Sequence, residues 1–252
     1  MGRRIAALAI ESEQFDIAGA VDAPGHEAIG RDIGELAGVG AVGVPVTEDI
    51  GQAKVDVLID FSLPESTMVW LEVCRSEGIG MVIGTTGLTP SQQAAVVDAS
   101  RAAPIVQAPN MSVGVNVLLK VVGEVARALG EDYDVEITET HHRFKSDAPS
   151  GTALALARAI CAATGRDADE ALTFGRYGRC PRKPGEIGIH ALRVGDTVGE
   201  HTVSFGNLGE TVTLAHTAHA RDTFARGALR AAKWIVGKSP GMYTMQDVLG
   251  LT

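Results

Sequence analysis

Aromatic and basic residues are both in short supply in this 252-residue chain: Phe, Tyr and Trp make up 4%, and 22 Lys plus Arg face 31 Asp plus Glu. A nucleic-acid binder normally shows a basic face and stacking side chains, so this balance argues against that class. Cysteine is sparse as well. Cys74, Cys161 and Cys180 stand far apart with no paired ligand spacing, which points to free thiols in a reducing compartment rather than a disulfide framework or structural zinc. No apolar stretch reaches the roughly 18 to 20 residues that span a bilayer. The start also lacks the cationic-then-apolar order of a secretory signal. The expectation is a cytoplasmic protein with no metal, no membrane segment and no nucleic-acid partner.

What is present is enough apolar material for a substantial core: 45% of the residues are hydrophobic, at a length that suits two domains. The first ~110 residues alternate short β-branched runs with helical patterns, the signature of a parallel sheet with crossover helices. Strands are expected over Phe15–Asp22, Lys54–Ser62, Gly80–Gly87 and Pro104–Asn110. "LPESTMVWLEVCRSEG" and "LTPSQQAAVVDASRAA" read as helices with Pro near the start. After Asn110 the pattern changes to α+β. A long helical segment leads to the strand "YDVEITETHH", then to a helix from about Ser150. Strands follow across "GEIGIHALRVGDTVGEHTVSFG" and "ETVTLAHTAHA", where short Gly- and Asp-containing turns allow antiparallel pairing. The last helix, "RDTFARGALRAAKWIVGK", is expected to return to the first domain. The fold class is therefore α/β: a Rossmann-like domain over residues 1–112 completed by 222–252, and an α+β domain over 113–221.

A doubly wound nucleotide-binding fold needs a first strand and a glycine-rich turn whose amides meet the pyrophosphate. This chain opens "MGRRIAALAIESEQFDIAGAVD", a helix followed by what should be the second strand, so the first strand and most of the loop are expected to be absent. Met1 and Gly2 would be the tail of that loop. Asp22 then falls about 20 residues on, where an acid binds the adenosine ribose; the alternative for it is a solvated carboxylate at a strand end. In an open α/β sheet, ligands sit at the carboxyl ends of strands, which places Gly84, Thr85 and Thr86 beside Ala108, Pro109, Asn110 and Met111. Either loop alone reads as a turn. Two at successive strand ends read as a crevice for a nicotinamide.

The densest chemistry is "HHRFKSDAPSGTA", His141 to Ala153. Ser150, Gly151 and Thr152 precede a good helix-forming run, so first-turn amides and the helix dipole can hold a carboxylate, with Lys145 adding a cation. His141 and His142 are neighbours at a strand end, so their side chains should diverge. A histidine can exchange a proton near neutral pH, and lysine can supply one. A polar loop with a capping serine is the plainer alternative for the histidine pair alone.

"ETHHRFKSDAPSGTA" resembles the signature of the 4-hydroxy-tetrahydrodipicolinate reductase (dihydrodipicolinate reductase) family. The resemblance continues through "IDFSLPEST", "GTTGL", "APNMSVGVN", "GDTVGEHTVSF", "TFARGALRAAKWI" and "GMYTMQDVLGL", covering nearly the whole chain in order. It implies NADH- or NADPH-dependent reduction of a cyclic dicarboxylate, with loss of water, in lysine and diaminopimelate biosynthesis. By position it makes His141 a proton donor and acceptor and Lys145 a proton donor. His142, Gly151 and Thr152 would bind substrate carboxylates. Met1, Asp22, Gly84, Thr85, Thr86, Ala108, Pro109, Asn110 and Met111 would bind the cofactor. A homotetramer built through the second domain is also implied. The chain departs from the family in two places: only Met1-Gly2-Arg3 of the G-x-x-G-R-M-G-type loop is present, and Ala23-Pro24 rather than an arginine follows Asp22. The second departure favours NADH at least as much as NADPH. Two other readings stay open: a cofactor-deficient scaffold that binds dicarboxylates, and a semialdehyde dehydrogenase, which would need a nucleophilic cysteine.

Overall fold

The computed structural model describes residues 1–51 and 54–251, in two units: Met1–Ser112 with Asp222–Gly250, and Val113–Arg221 with Leu251. Helix α1 (Gly2–Glu11) turns Ile5, Ala7, Leu8 and Ala9 inward. Then come β1 (Ala20–Val21), α2 (Ile33–Ala37), β2 (Val46–Thr47), β3 (Val57–Asp60), α3 (Pro64–Glu77), β4 (Gly80–Ile83), α4 (Pro90–Ala99) and β5 (Pro104–Gln107). The second unit holds α5 (Val113–Leu129), β6 (Asp134–His141), α6 (Gly151–Thr164), α7 (Ala168–Ala171), β7 (Leu172–Phe174), β8 (Ile187–Arg193), β9 (Gly199–Asn207) and β10 (Glu210–Ala218). The chain then returns to the first unit with α8 (Asp222–Ile235), β11 (Gly241–Tyr243) and α9 (Met245–Leu249).

In the first unit the main sheet runs β11-β5-β4-β3, all parallel. Every residue of β4 is buried because successive side chains enter different cores. Val82, with Val106 of β5, joins residues of α1, α8 and α9; Met81, Ile83 and Ile105 join Leu71, Cys74, Val96 and Ala99 of α3 and α4. The expected strand over Phe15–Asp22 is shorter: only Ala20–Val21 is in a ladder, parallel to β2 in a separate two-stranded sheet. Phe15 and Ile17 still pack inward. A strand, however, exists only where a neighbour offers backbone partners, and β2 offers them to two residues. Asp32 organises the surrounding loops, accepting from the amides of Gly34, Glu35, Val42, Gly43 and Val44.

The second unit is a mixed sheet in the order β10-β9-β6-β8-β7. β9 and β10 form an antiparallel hairpin, as the turn residues suggested. β8 and β9 do not pair with each other. β6 lies between them, parallel to β8 and antiparallel to β9, which places Val135, Ile137 and Glu139 in the middle of the buried face. Helices α5 and α6 cover that face, and Gly123 leaves room for Ala163, whose Cβ would lie 3.2 Å from a Cβ placed there. On the other face Glu136 pairs with Arg176, Arg182 and His190. Its carboxylate lies over Gly188, where a Cβ would stand 1.9 Å from Oε2.

Candidate active site

Side chains two apart on a strand share a face, so Glu139 and His141 of β6 both turn toward the helices. Glu139 has no exposed surface, and four donors converge on its carboxylate. The His141 ring lies with Nδ1 2.5 Å from Oε2, Arg193 of β8 makes two bonds of 2.9 Å, and the Ser150 amide donates at 3.0 Å. Burial pushes the Glu139 carboxyl up, but Arg193, His141 and the Ser150 amide outweigh it and hold the group below its ordinary value. Arg193 is the register partner of His141 and also donates to the Asp147 carbonyl.

His201 of β9 is the register partner of Glu139. Its Nε2 lies 3.0 Å from Ser150 Oγ, and its ring meets that of His141 edge-on with centroids 5.2 Å apart. Burial, reinforced by the nearby His141 charge, pushes His201 down to about 4, so this ring is neutral at pH 7. Ser150 caps α6, its Oγ accepting from Ala153 N at 3.2 Å. Gly151 and Thr152 form the first turn, where the helix itself supplies no carbonyl for the amides. Ala153, Leu156, Ala157 and Ile160 anchor that helix in the core.

The two histidines diverge. His142 turns toward Phe144, with centroids 6.3 Å apart, and its Nδ1 is buried without a hydrogen-bond partner among the described residues. Lys145 Nζ lies 2.8 Å from Asp147 Oδ1, and this cation, ahead of the cost of burial, lowers the Asp147 carboxyl. The second unit thus gathers a buried Glu–His pair, an orphaned imidazole nitrogen, a lysine and a helix N-terminus in one chain segment and its strand neighbours. Such a set suits proton exchange on an anion.

In the first unit Asp22 ends β1 with an exposed carboxylate, whose Oδ2 is 3.3 Å from His26 Nδ1. Gly84, Thr85 and Thr86 follow β4; Ala108 to Met111 follow β5. The Gly84 site has an additional structural reason, since a Cβ there would fall 2.3 Å from the Phe61 ring. The Thr85 hydroxyl is committed to Asp60 at 2.9 Å and accepts from the Ser62 amide. Ala108 and Met111 are buried, so their backbone rather than their side chains is what a ligand can meet. Met1 is exposed, and its carbonyl accepts from the amides of Arg4 and Ile5. An exposed acid and two strand-end loops fit a dinucleotide.

Glu139, Arg193, His201 and Asp60 were missed by sequence reasoning. An acid at i−2 from His141 on an alternating strand was a signal for Glu139. Arg193 and His201 carried none, since they reach the site only through strand register. Among the described residues no group of three or more His, Cys, Asp or Glu could hold a metal ion, and no helix is long and apolar enough to cross a membrane. Cys74 and Cys161 are buried, with burial pushing the Cys74 thiol up to about 12, and neither suits a nucleophile.

Residues 1–111 match the family model described as "Dihydrodipicolinate reductase, N-terminus", and residues 114–249 match "Dihydrodipicolinate reductase, C-terminus". Proteins named 4-hydroxy-tetrahydrodipicolinate reductase from Citrifermentans bemidjiense and Geobacter sulfurreducens are each 49% identical over 254 residues, covering all of this chain and 95% of the relative. A solved structure, the dipicolinate-bound dihydrodipicolinate reductase of Paenisporosarcina sp. TG-14, superposes with a TM-score of 0.76 at 24% identity. The superposition covers 98% of this chain and 94% of that one and shows a common fold.

Proposed function

The chain belongs to the dihydrodipicolinate reductase family, and from that premise we propose that His141 and Lys145 carry the proton chemistry of its reaction, beside a carboxylate site at the N-terminus of α6. It is an oxidoreductase, a 4-hydroxy-tetrahydrodipicolinate reductase. The step takes up a hydride and a proton and releases water, forming tetrahydrodipicolinate for lysine and diaminopimelate synthesis. A bound nicotinamide dinucleotide would supply the hydride. Asp22 would accept from the adenosine ribose hydroxyls, and the backbone of Gly84–Thr86 and Ala108–Met111 would hold the nicotinamide end, with Met1 at the pyrophosphate side. The observation that carries the reading is His141, set against a buried carboxylate in the same segment as Lys145 and the first turn of α6.

His142 and the turn at Gly151 and Thr152 bind the carboxylates: the unpartnered His142 Nδ1, carrying its hydrogen, donates to an anion, and the helix dipole favours one. Residues 1–112 with 222–252 form the dinucleotide-binding domain and 113–221 the substrate-binding domain. A homotetramer built through this second domain is part of the same reading and rests on the membership of the family. NADH serves at least as well as NADPH. A scaffold without chemistry has no observation in its favour once both halves match one enzyme family.

The test is steady-state kinetics on 4-hydroxy-tetrahydrodipicolinate. His141→Gln and Lys145→Ala each lower kcat by roughly 10²- to 10⁴-fold with little change in cofactor affinity. Thr152→Pro raises substrate KM, because it removes an amide aimed at a carboxylate. Unchanged turnover in both of the first two variants would refute the assignment.

A further inference from the structure

The donors on Glu139 occupy its two oxygens in pairs. Oε1 accepts from the Ser150 amide and Arg193 Nη2; Oε2 accepts from Arg193 Nη1 and stands 2.5 Å from His141 Nδ1. An ionised carboxylate only accepts, and neither a guanidinium nor an amide N–H can reverse its role. His141 Nδ1 therefore carries a hydrogen whether the ring is neutral or charged. The other ring proton comes and goes at Nε2. Space is kept on that side by Gly199 of β9, where a Cβ would stand 3.1 Å from Nε2.

The charged and titratable neighbours leave this arrangement intact. Arg193 is bound to the same carboxylate, Lys145 is paired with Asp147, and His201 meets His141 edge-on while its Nε2 is directed at Ser150 Oγ. His216 lies opposite His201 in the β9–β10 ladder. Glu139 is the carboxylate that the His141 ring reaches.

We propose that Glu139 is the positioning residue of the reaction, holding His141 as the Nδ1–H tautomer so that Nε2 is the atom that exchanges the proton. The proposal rests on the reading of His141 as the proton-exchanging group. A glutamine at 139 sharpens it. Placed at the Oε1 position, the amide nitrogen of Gln would face two fixed donors, Ser150 N and Arg193 Nη2. At the Oε2 position it faces one fixed donor and a ring that can adapt by changing tautomer. Glu139→Gln therefore turns its nitrogen toward His141 and inverts the ring to Nε2–H.

Ring ¹⁵N shifts of histidine-labelled full-length protein at mildly alkaline pH read the tautomer, with His141→Gln identifying the signal. Wild type shows Nδ1–H, Glu139→Gln shows Nε2–H, and Glu139→Asp, which keeps an acceptor-only carboxylate, restores Nδ1–H. In kinetics Glu139→Gln loses at least about tenfold in kcat with substrate KM changed far less, and Glu139→Asp recovers part of the loss. An Nε2–H ring in the wild type overturns the proposal even where the Gln variant fails to fold. So does wild-type kcat in a folded Gln variant. Wild-type turnover is measured first: its absence refutes the proposed function, while the resting-state ring spectrum decides the tautomer independently.

Discussion

At the scale of single residues, cofactor choice turns on what surrounds Asp22. Its carboxylate is exposed at the end of β1, with Ala23 and Pro24 next in the chain and His26 Nδ1 3.3 Å from Oδ2. Arg4 does not compensate, since its guanidinium is held by Asp222 through two bonds of 2.6 and 2.5 Å. A 2′-phosphate would meet a carboxylate, whereas ribose hydroxyls would meet an acceptor. We expect kcat/KM with NADH to equal or exceed that with NADPH. Asp22→Asn should move the ratio toward NADPH by about tenfold, or ~1.4 kcal/mol. A strong wild-type preference for NADPH would show that another cation reaches the phosphate. The position of Asp22 at a strand end was legible, because the apolar run before it can be read along the chain. The hold of Asp222 on Arg4 was not legible, because those residues meet only through the packing of α1 and α8.

At the scale of elements, the tightest constraint lies between α8 and the segment after β5. Gly227 of α8 sits so close to that segment that a Cβ would fall 1.7 Å from the Met111 carbonyl. This backbone contact cannot be relieved by a rotamer change, so Gly227→Ala must shift the helix or the loop, at a cost of about 1–3 kcal/mol. A lowered Tm should come with weaker NADH binding, read by calorimetric titration, because the same segment carries Ala108 to Met111. A variant with wild-type Tm and affinity would show that the loop yields freely. The helices themselves were readable: α3 and α4 start at the prolines that marked them, and α5, α6 and α8 fall within the segments read as helical. Strand neighbours were less so. The insertion of β6 between β8 and β9 depends on which buried faces match across more than fifty residues of chain, and local alternation does not encode that.

Across the whole molecule, acid is the condition under which several buried groups act together. His201 is pushed down to about 4, chiefly by burial, and His216 is lowered for the same reason. A depressed pKa means that the folded state binds fewer protons, so the stability these rings contribute is complete above about pH 6.5 and is lost as pH falls toward 4. For His201 the loss is on the order of 3 kcal/mol across that window. Glu136, Glu139 and Glu186 are held below the ordinary carboxylate range against the upward push of burial, by Arg176, Arg193 and Arg176 respectively. Their contribution remains until the pH drops below about 4. Denaturant unfolding should therefore show stability falling in two stages with acid, and His201→Gln should flatten the first while leaving the second. An unchanged slope between pH 6.5 and 4 in that variant would mean that His201 is not held neutral by the fold.

By itself the sequence determined what is contiguous in the chain. The division into two domains, most of the helices, and the run from His141 through Lys145 to Thr152 could be read directly, since periodicity reports burial and consecutive residues stay close however the chain folds. Tertiary structure decided what arrives from a distance. Arg193 and His201 reach Glu139 from the flanking strands, Thr85 is tied to Asp60, and Gly84 is kept small by Phe61. Each of these depends on strand register, and a shift of one residue sends every side chain to the opposite face. The chain therefore names a histidine able to exchange a proton. The sheet decides which of its two nitrogens faces the carboxylate.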